Sequence, residues 1–120
     1  MSIQPGERIP EAILQYVADG VHKIDTLTLF EGRKLVLFSV PGAFTPTCSE
    51  RHLPGFVEHF DAFRERGIEV ACMAVNDPFV MQAWGESQHV PAGMRMLADG
   101  NADFTRALGL EMDASGFGMG

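Results

Sequence analysis

Two stretches of this chain are apolar almost without interruption, and each is closed by turn residues. "KLVLFSV", Lys34 to Val40, and "IEVACMAV", Ile68 to Val75, have the pattern of strands covered on both faces. "MRMLAD" predicts a third, shorter strand. Between them the apolar residues change period. Leu53, Phe56, Val57, Phe60 and Phe63 recur at helical offsets and predict one helix that stops at Gly67. Pro54 lies inside that stripe and should bend the helix unless its first turn is irregular. "NDPFVMQAWGES" predicts a helix capped by Asp77 with Pro78 in its first position, and "NADFTRALGL" a short one. Upstream, "GVHKIDTLTLF" alternates at Ile24, Leu27 and Leu29, which reads as a strand or hairpin arm closed by the turn "EGRK". The order β-α-β-α-β-α argues an α/β fold with helices on both faces of a sheet. The tail "DASGFGMG" reads as a loop.

Composition narrows the classes. The 120 residues make one domain, and 46% hydrophobic content fits a soluble globular chain. No apolar run approaches the ~20 residues of a membrane span. The start, "MSIQPGERIPEA", lacks a basic and then apolar leader pattern, so the expected compartment is the cytoplasm. A formal charge of −7 disfavours nucleic acid, whose binding rests on neutralising phosphates. The two cysteines, Cys48 and Cys72, are too few for a disulfide framework and too far apart for a CxxC pair or the usual zinc spacing. Both are expected as thiols in a reducing compartment.

Cys48 stands out by its position. In "PGAFTPTCSERHLPGF", Thr45 suits a helix N-cap and Pro46 the first helical position, which makes Cys48 the third. A sulfur there faces unpaired backbone N–H groups and the positive end of the helix dipole. Both favour the thiolate, which is the nucleophilic form of cysteine. Burial as a small hydrophobe is the structural alternative for Cys48. Cys72, mid-strand in "ACMAV", reads as an inert core thiol.

"PGAFTPTCS" resembles the active-site signature of the peroxiredoxins, the thiol peroxidases: a proline, a threonine three residues before a cysteine, and that cysteine. "HLPGFVE" and "ACMAVNDPFVMQAW" resemble the peroxiredoxin-5, or type II, subgroup, and the similarity runs from about Ile3 to the last residue. The resemblance implies a thioredoxin-like fold, a mixed central sheet flanked by helices. It also implies that Cys48 attacks a peroxide oxygen and becomes a sulfenic acid. Thr45 would hold sulfur and peroxide in register, and Pro41 would exclude water. The amides of Cys48 and Thr47 would donate to the oxygen on which charge develops. Phe44 and Phe117 would form an apolar collar favouring alkyl hydroperoxides as well as hydrogen peroxide. His52, four residues after Cys48, is open to several roles: pocket lining, a Cys–His pair, a metal ligand or a solvated side chain. No third ligand stands at a readable spacing, so neither a metal nor another cofactor is expected. His22, His59 and His89 carry no argument.

The family's arginine is expected just after a "GFGMG"-like segment, where this chain ends. Arg33, Arg51, Arg64, Arg66, Arg95 and Arg106 do not match that position. The final hairpin and helix of the fold are also missing, so residues 1–120 are expected to be a C-terminally incomplete single domain. The expected function is a peroxidase for hydrogen peroxide and alkyl hydroperoxides, recycled by glutathione with glutaredoxin or by thioredoxin in a one-cysteine cycle, and homodimeric as family members commonly are. The alternative is a non-catalytic thioredoxin-like module for redox sensing or partner contact. A Cys–His hydrolase has little support, since no orienting Asp or Asn is identifiable.

Overall fold

A computed structural model describes residues 2–117, and of Phe117 the backbone only. Five strands form one mixed sheet in the order β2-β1-β5-β4-β3. They are β1 Ile13–Val17, β2 Val21–Asp25, β3 Lys34–Val40, β4 Ile68–Ala74 and β5 Arg95–Ala98. Strands β3, β4 and β5 run parallel, with Lys34 to Val40 of β3 paired in order with Ile68 to Ala74 of β4. Strand β1 is antiparallel to both β2 and β5. The helices are α1 Thr26–Phe30, α2 Leu53–Glu58, α3 Phe60–Glu65, α4 Pro78–Ser87 and α5 Asp103–Leu108.

Side chains on a strand alternate between faces, and here the alternation divides the core in two. Val70, Cys72 and Ala74 of β4 join Phe38 and Val40 in a cluster closed by Cys48, Leu53, Phe60, Met81 and Trp84. Ala71 and Met73 face the other way, into a cluster with Leu14, Leu29, Leu97, Phe104 and Leu108. The two apolar runs are therefore strands covered on both faces, as their composition predicts.

Four local readings are corrected. "GVHKIDTLTLF" is a strand only as far as Asp25. The Asp25 carboxylate accepts from the Thr28 N–H at 2.7 Å, starting the helical turn Thr26–Phe30 that delivers Leu29 to the core. "ILQYV", not anticipated as a strand, forms β1; only Leu14 of it is fully buried, so its hydrophobic signal is weak. The stripe from Leu53 is two short helices, broken at His59, although Gly67 stops the second in a left-handed conformation (φ 72°) as expected. In the tail, Ser115–Phe117 forms a 3-10 turn.

Pro54 has the irregular turn its sequence position calls for. Residues Cys48–His52 form a π-helical turn, in which the Leu53 N–H reaches the Cys48 carbonyl five residues back. A proline in a regular helix lacks an N–H for the carbonyl four residues earlier and collides with it. The widened turn just before Pro54 relieves that conflict, and it starts on Cys48. Single π turns of this kind recur at functional sites.

Candidate active site

The turn bearing Cys48 begins where the parallel strands end. Strand β3 stops at Val40, opposite Ala74 of β4, so the loop Pro41–Thr45 and the segment Val75–Asp77 leave the sheet side by side. The helix then starts at Pro46, which makes Thr45 the N-cap position and Cys48 the third helical residue, as the sequence predicts. The Thr45 carbonyl accepts from the Ser49 N–H at 2.9 Å. Its hydroxyl does not cap: it donates to the Gly42 carbonyl at 2.7 Å, closing the turn through Ala43 and Phe44. Phe44 adopts φ 63°, a left-handed conformation that costs a non-glycine residue about 1–3 kcal/mol and persists only where neighbouring structure holds it.

Two hydrogen bonds from the rest of the fold supply that hold, and sequence reasoning found neither. The Ala43 N–H donates to Oδ1 of Asn76 at 2.9 Å. The indole Nε1 of Trp84, on α4, donates to Oγ of Ser49 at 3.0 Å. Trp84 is 0% exposed, and a buried indole N–H needs an acceptor. That requirement is visible in sequence; the identity of the acceptor 35 residues away is not.

The predicted site residues fall into three groups. Cys48, Thr45 and the backbone of Gly42–Phe44 converge at the start of the helix. Cys48 is 4% exposed and packs into the core shared with Cys72. Pro41, Phe44 and Thr47 are exposed around it, Phe44 at 55%. His52 lies one turn on, in an aromatic cluster. Its ring centroid is 5.2 Å from that of Phe38 and 5.8 Å from that of Phe56, which itself stacks on Phe38 at 3.9 Å. His52 is therefore half-buried packing against the outer edge of the core. Among the described residues, no three His, Cys, Asp or Glu side chains cluster as a metal site would require. The Phe117 side chain lies outside the described residues.

Cys72 is a structural thiol. Burial, together with a smaller contribution from the nearby Cys48, pushes its pKa up to about 12 from 9.0, which keeps it a protonated, poor nucleophile. Four of the six arginines weighed above are engaged elsewhere. Arg33 pairs with Glu69, Arg64 with Asp61 and Arg106 with Glu111, while Arg95 lies over the ring of Tyr16.

The chain matches the Redoxin family over residues 4–119. It is 48% identical to peroxiredoxin-2E-2 of rice over 99% of its own length and 55% of that protein's. It is 40% identical to peroxiredoxin-2B of Arabidopsis thaliana, over 98% of this chain and 75% of that one. The crystal structure of reduced Prx3 from Vibrio vulnificus in complex with hydrogen peroxide superposes with a TM-score of 0.93 at 51% identity, covering 97% of this chain and 74% of that one. The chain spans about half the length of the chloroplast-type relatives from rice and Arabidopsis.

Proposed function

Because the chain belongs to the peroxiredoxins, within the Redoxin family, we propose that it is a thiol peroxidase with Cys48 as the attacking residue. The observation that carries this is the placement of Cys48: third in a helix, behind a proline–threonine turn, at the ends of the central strands. The Cys48 thiolate attacks one peroxide oxygen in line with the O–O bond. That bond breaks, its electron pair goes to the other oxygen, and this oxygen leaves as water or an alcohol after taking up a proton. Cys48 is left as a sulfenic acid. Amides of the first helical turn, those of Thr47 and Cys48, have no intrahelical acceptor and stabilise the developing charge. Thr45 holds the peroxide, Pro41 and Phe44 form the exposed rim, and His52 closes its inner side through the aromatic cluster. Hydrogen peroxide is supported as a substrate by the Vibrio vulnificus complex, and the apolar rim suits alkyl hydroperoxides.

A burial-silenced Cys72 is a poor resolving thiol. An external reductant therefore attacks the sulfenic acid, releasing water and forming a mixed disulfide, and a second thiol then displaces Cys48. Glutathione with glutaredoxin, or thioredoxin, fits this role. A homodimer is supported by the exposed Phe44, Val75 and Phe79, which the Ala43–Asn76 bond brings to one end of the sheet.

The test is stopped-flow oxidation of the reduced protein by hydrogen peroxide and by an organic hydroperoxide, followed by turnover with each reductant. We expect a rate far above that of a free thiol, a sulfenic acid trapped on Cys48, and no reaction in Cys48→Ser. Oxidation at the rate of free cysteine, or rapid oxidation without sustained turnover, would leave only a sensing or interaction module.

A further inference from the structure

The peptide unit between Gly42 and Ala43 is held at both ends. Its N–H donates to Asn76 Oδ1 at 2.9 Å, and its C=O accepts from Thr45 Oγ at 2.7 Å. A trans peptide is planar, with N–H and C=O pointing in opposite directions, so fixing one of them aims the other. The adjoining Phe44 sits at φ 63°, a conformation the loop does not favour on its own. Asn76 lies just past the end of β4 and so ties this peptide to the rigid sheet.

We propose that Asn76 is a positioning residue for the peroxidase reaction, acting through the Gly42–Ala43 peptide to set the direction of the Thr45 hydroxyl proton. This rests on the function proposed above. A threonine hydroxyl has one proton and two lone pairs. With its proton given to Gly42, Thr45 presents only lone pairs to the pocket, so it accepts the O–H of a bound peroxide and turns that molecule's oxygen toward Cys48, three residues on. Once the tie to Asn76 is lost, the peptide is free to rotate. The Thr45 proton is then released to other acceptors, the peroxide oxygens among them, and peroxide loses its fixed orientation.

The experiment is a double-mutant cycle on the full chain, measuring the second-order rate of Cys48 oxidation by hydrogen peroxide. Asn76→Ala should slow it roughly tenfold, in the range a lost orienting hydrogen bond produces. Asn76→Asp keeps an acceptor for the Ala43 N–H and should restore a rate within about twofold of the original. In a Thr45→Val background, where no hydroxyl remains to orient, Asn76→Ala should change the rate less than about twofold. Alkylation of Cys48 by iodoacetate, which when ionised has neither an O–H nor an N–H for Thr45 to accept, should fall less than about twofold. Losses that multiply in the double variant, failure of Asn76→Asp to restore the rate, or an equal loss of alkylation would each overturn the proposal. Where Asn76→Ala does not fold, Asn76→Ser, whose hydroxyl is too short to reach Ala43, is read against the same thresholds. A parent protein no faster than free cysteine would instead refute the peroxidase reading itself. A fast parent, a slow Thr45→Val and multiplicative Asn76 effects would refute only the role of Asn76.

Discussion

Trp84 offers a way to measure how firmly the fold grips the turn that carries Cys48. Its indole N–H is buried, and Ser49 Oγ at 3.0 Å is its acceptor; among the described residues no buried side-chain nitrogen or oxygen lacks a partner. Ser49→Ala removes the acceptor and leaves that N–H unsatisfied in the core, at a cost of ~1–3 kcal/mol. Alanine's better helix propensity returns ~0.5 kcal/mol, so the net loss should be ~1.5 kcal/mol. With an unfolding entropy of ~2.1 cal/mol/K per residue, a chain of this size should melt ~6 °C lower. Trp84→Phe takes away donor and acceptor need together. It costs ~1 kcal/mol, because phenyl leaves ~40 Å³ of the indole volume empty at ~24 cal/mol/Å³. The decisive quantity is their coupling. In the Trp84→Phe background, Ser49→Ala should cost no more than ~0.5 kcal/mol, because no buried donor is stranded. Urea unfolding of the four proteins, followed by circular dichroism because the only tryptophan is one of the sites changed, gives these values. If Ser49→Ala costs the same in both backgrounds, the bond does not anchor the turn.

Further expectations follow from the same structure. The raised pKa of Cys72 makes stability pH-dependent on the alkaline side. The unfolded thiol ionises above pH 9 while the native one stays protonated to about 12, so native stability is intact below pH 9 and falls as pH rises toward 12. The full loss is ~4 kcal/mol, and unfolding titrations from pH 8 to 11 should show a slope that Cys72→Ala removes. Titration with a thiol reagent should find Cys72 silent in the native protein and reactive in denaturant. Gly93→Ala would put a Cβ 2.9 Å from Cζ of Phe60, itself largely buried, and should destabilise by ~1–3 kcal/mol through overpacking, read as a lower Tm. Asp77→Ala should cost ~1 kcal/mol, because the Asp77 carboxylate accepts from the Val80 N–H at 2.8 Å at the start of α4.

Short-range information in the chain was enough for the strands Lys34–Val40 and Ile68–Ala74, the capped helix at Pro78 and the helix start that makes Cys48 its third residue. Each of these depends on the period of neighbouring residues or on one cap, and no distant partner alters it. Of the weakly patterned segments, β1 is a strand because β2 and β5 flank it, whereas Thr26–Phe30 did carry a local signal, the Asp25 cap, which the alternation of Ile24, Leu27 and Leu29 outweighed. Pro54 announced an irregular turn, but only the packed structure shows the widened turn opening on Cys48. The same division runs through the site. Cys48, Thr45 and Pro41 belong to one contiguous motif, whereas Asn76 and Trp84 reach it across 33 and 35 residues. Those contacts exist because parallel pairing sets Val40 beside Ala74, so that the chain leaves two strands at one point in space. Residue order names which groups need a partner; the pairing of β3 with β4 decides which ones meet.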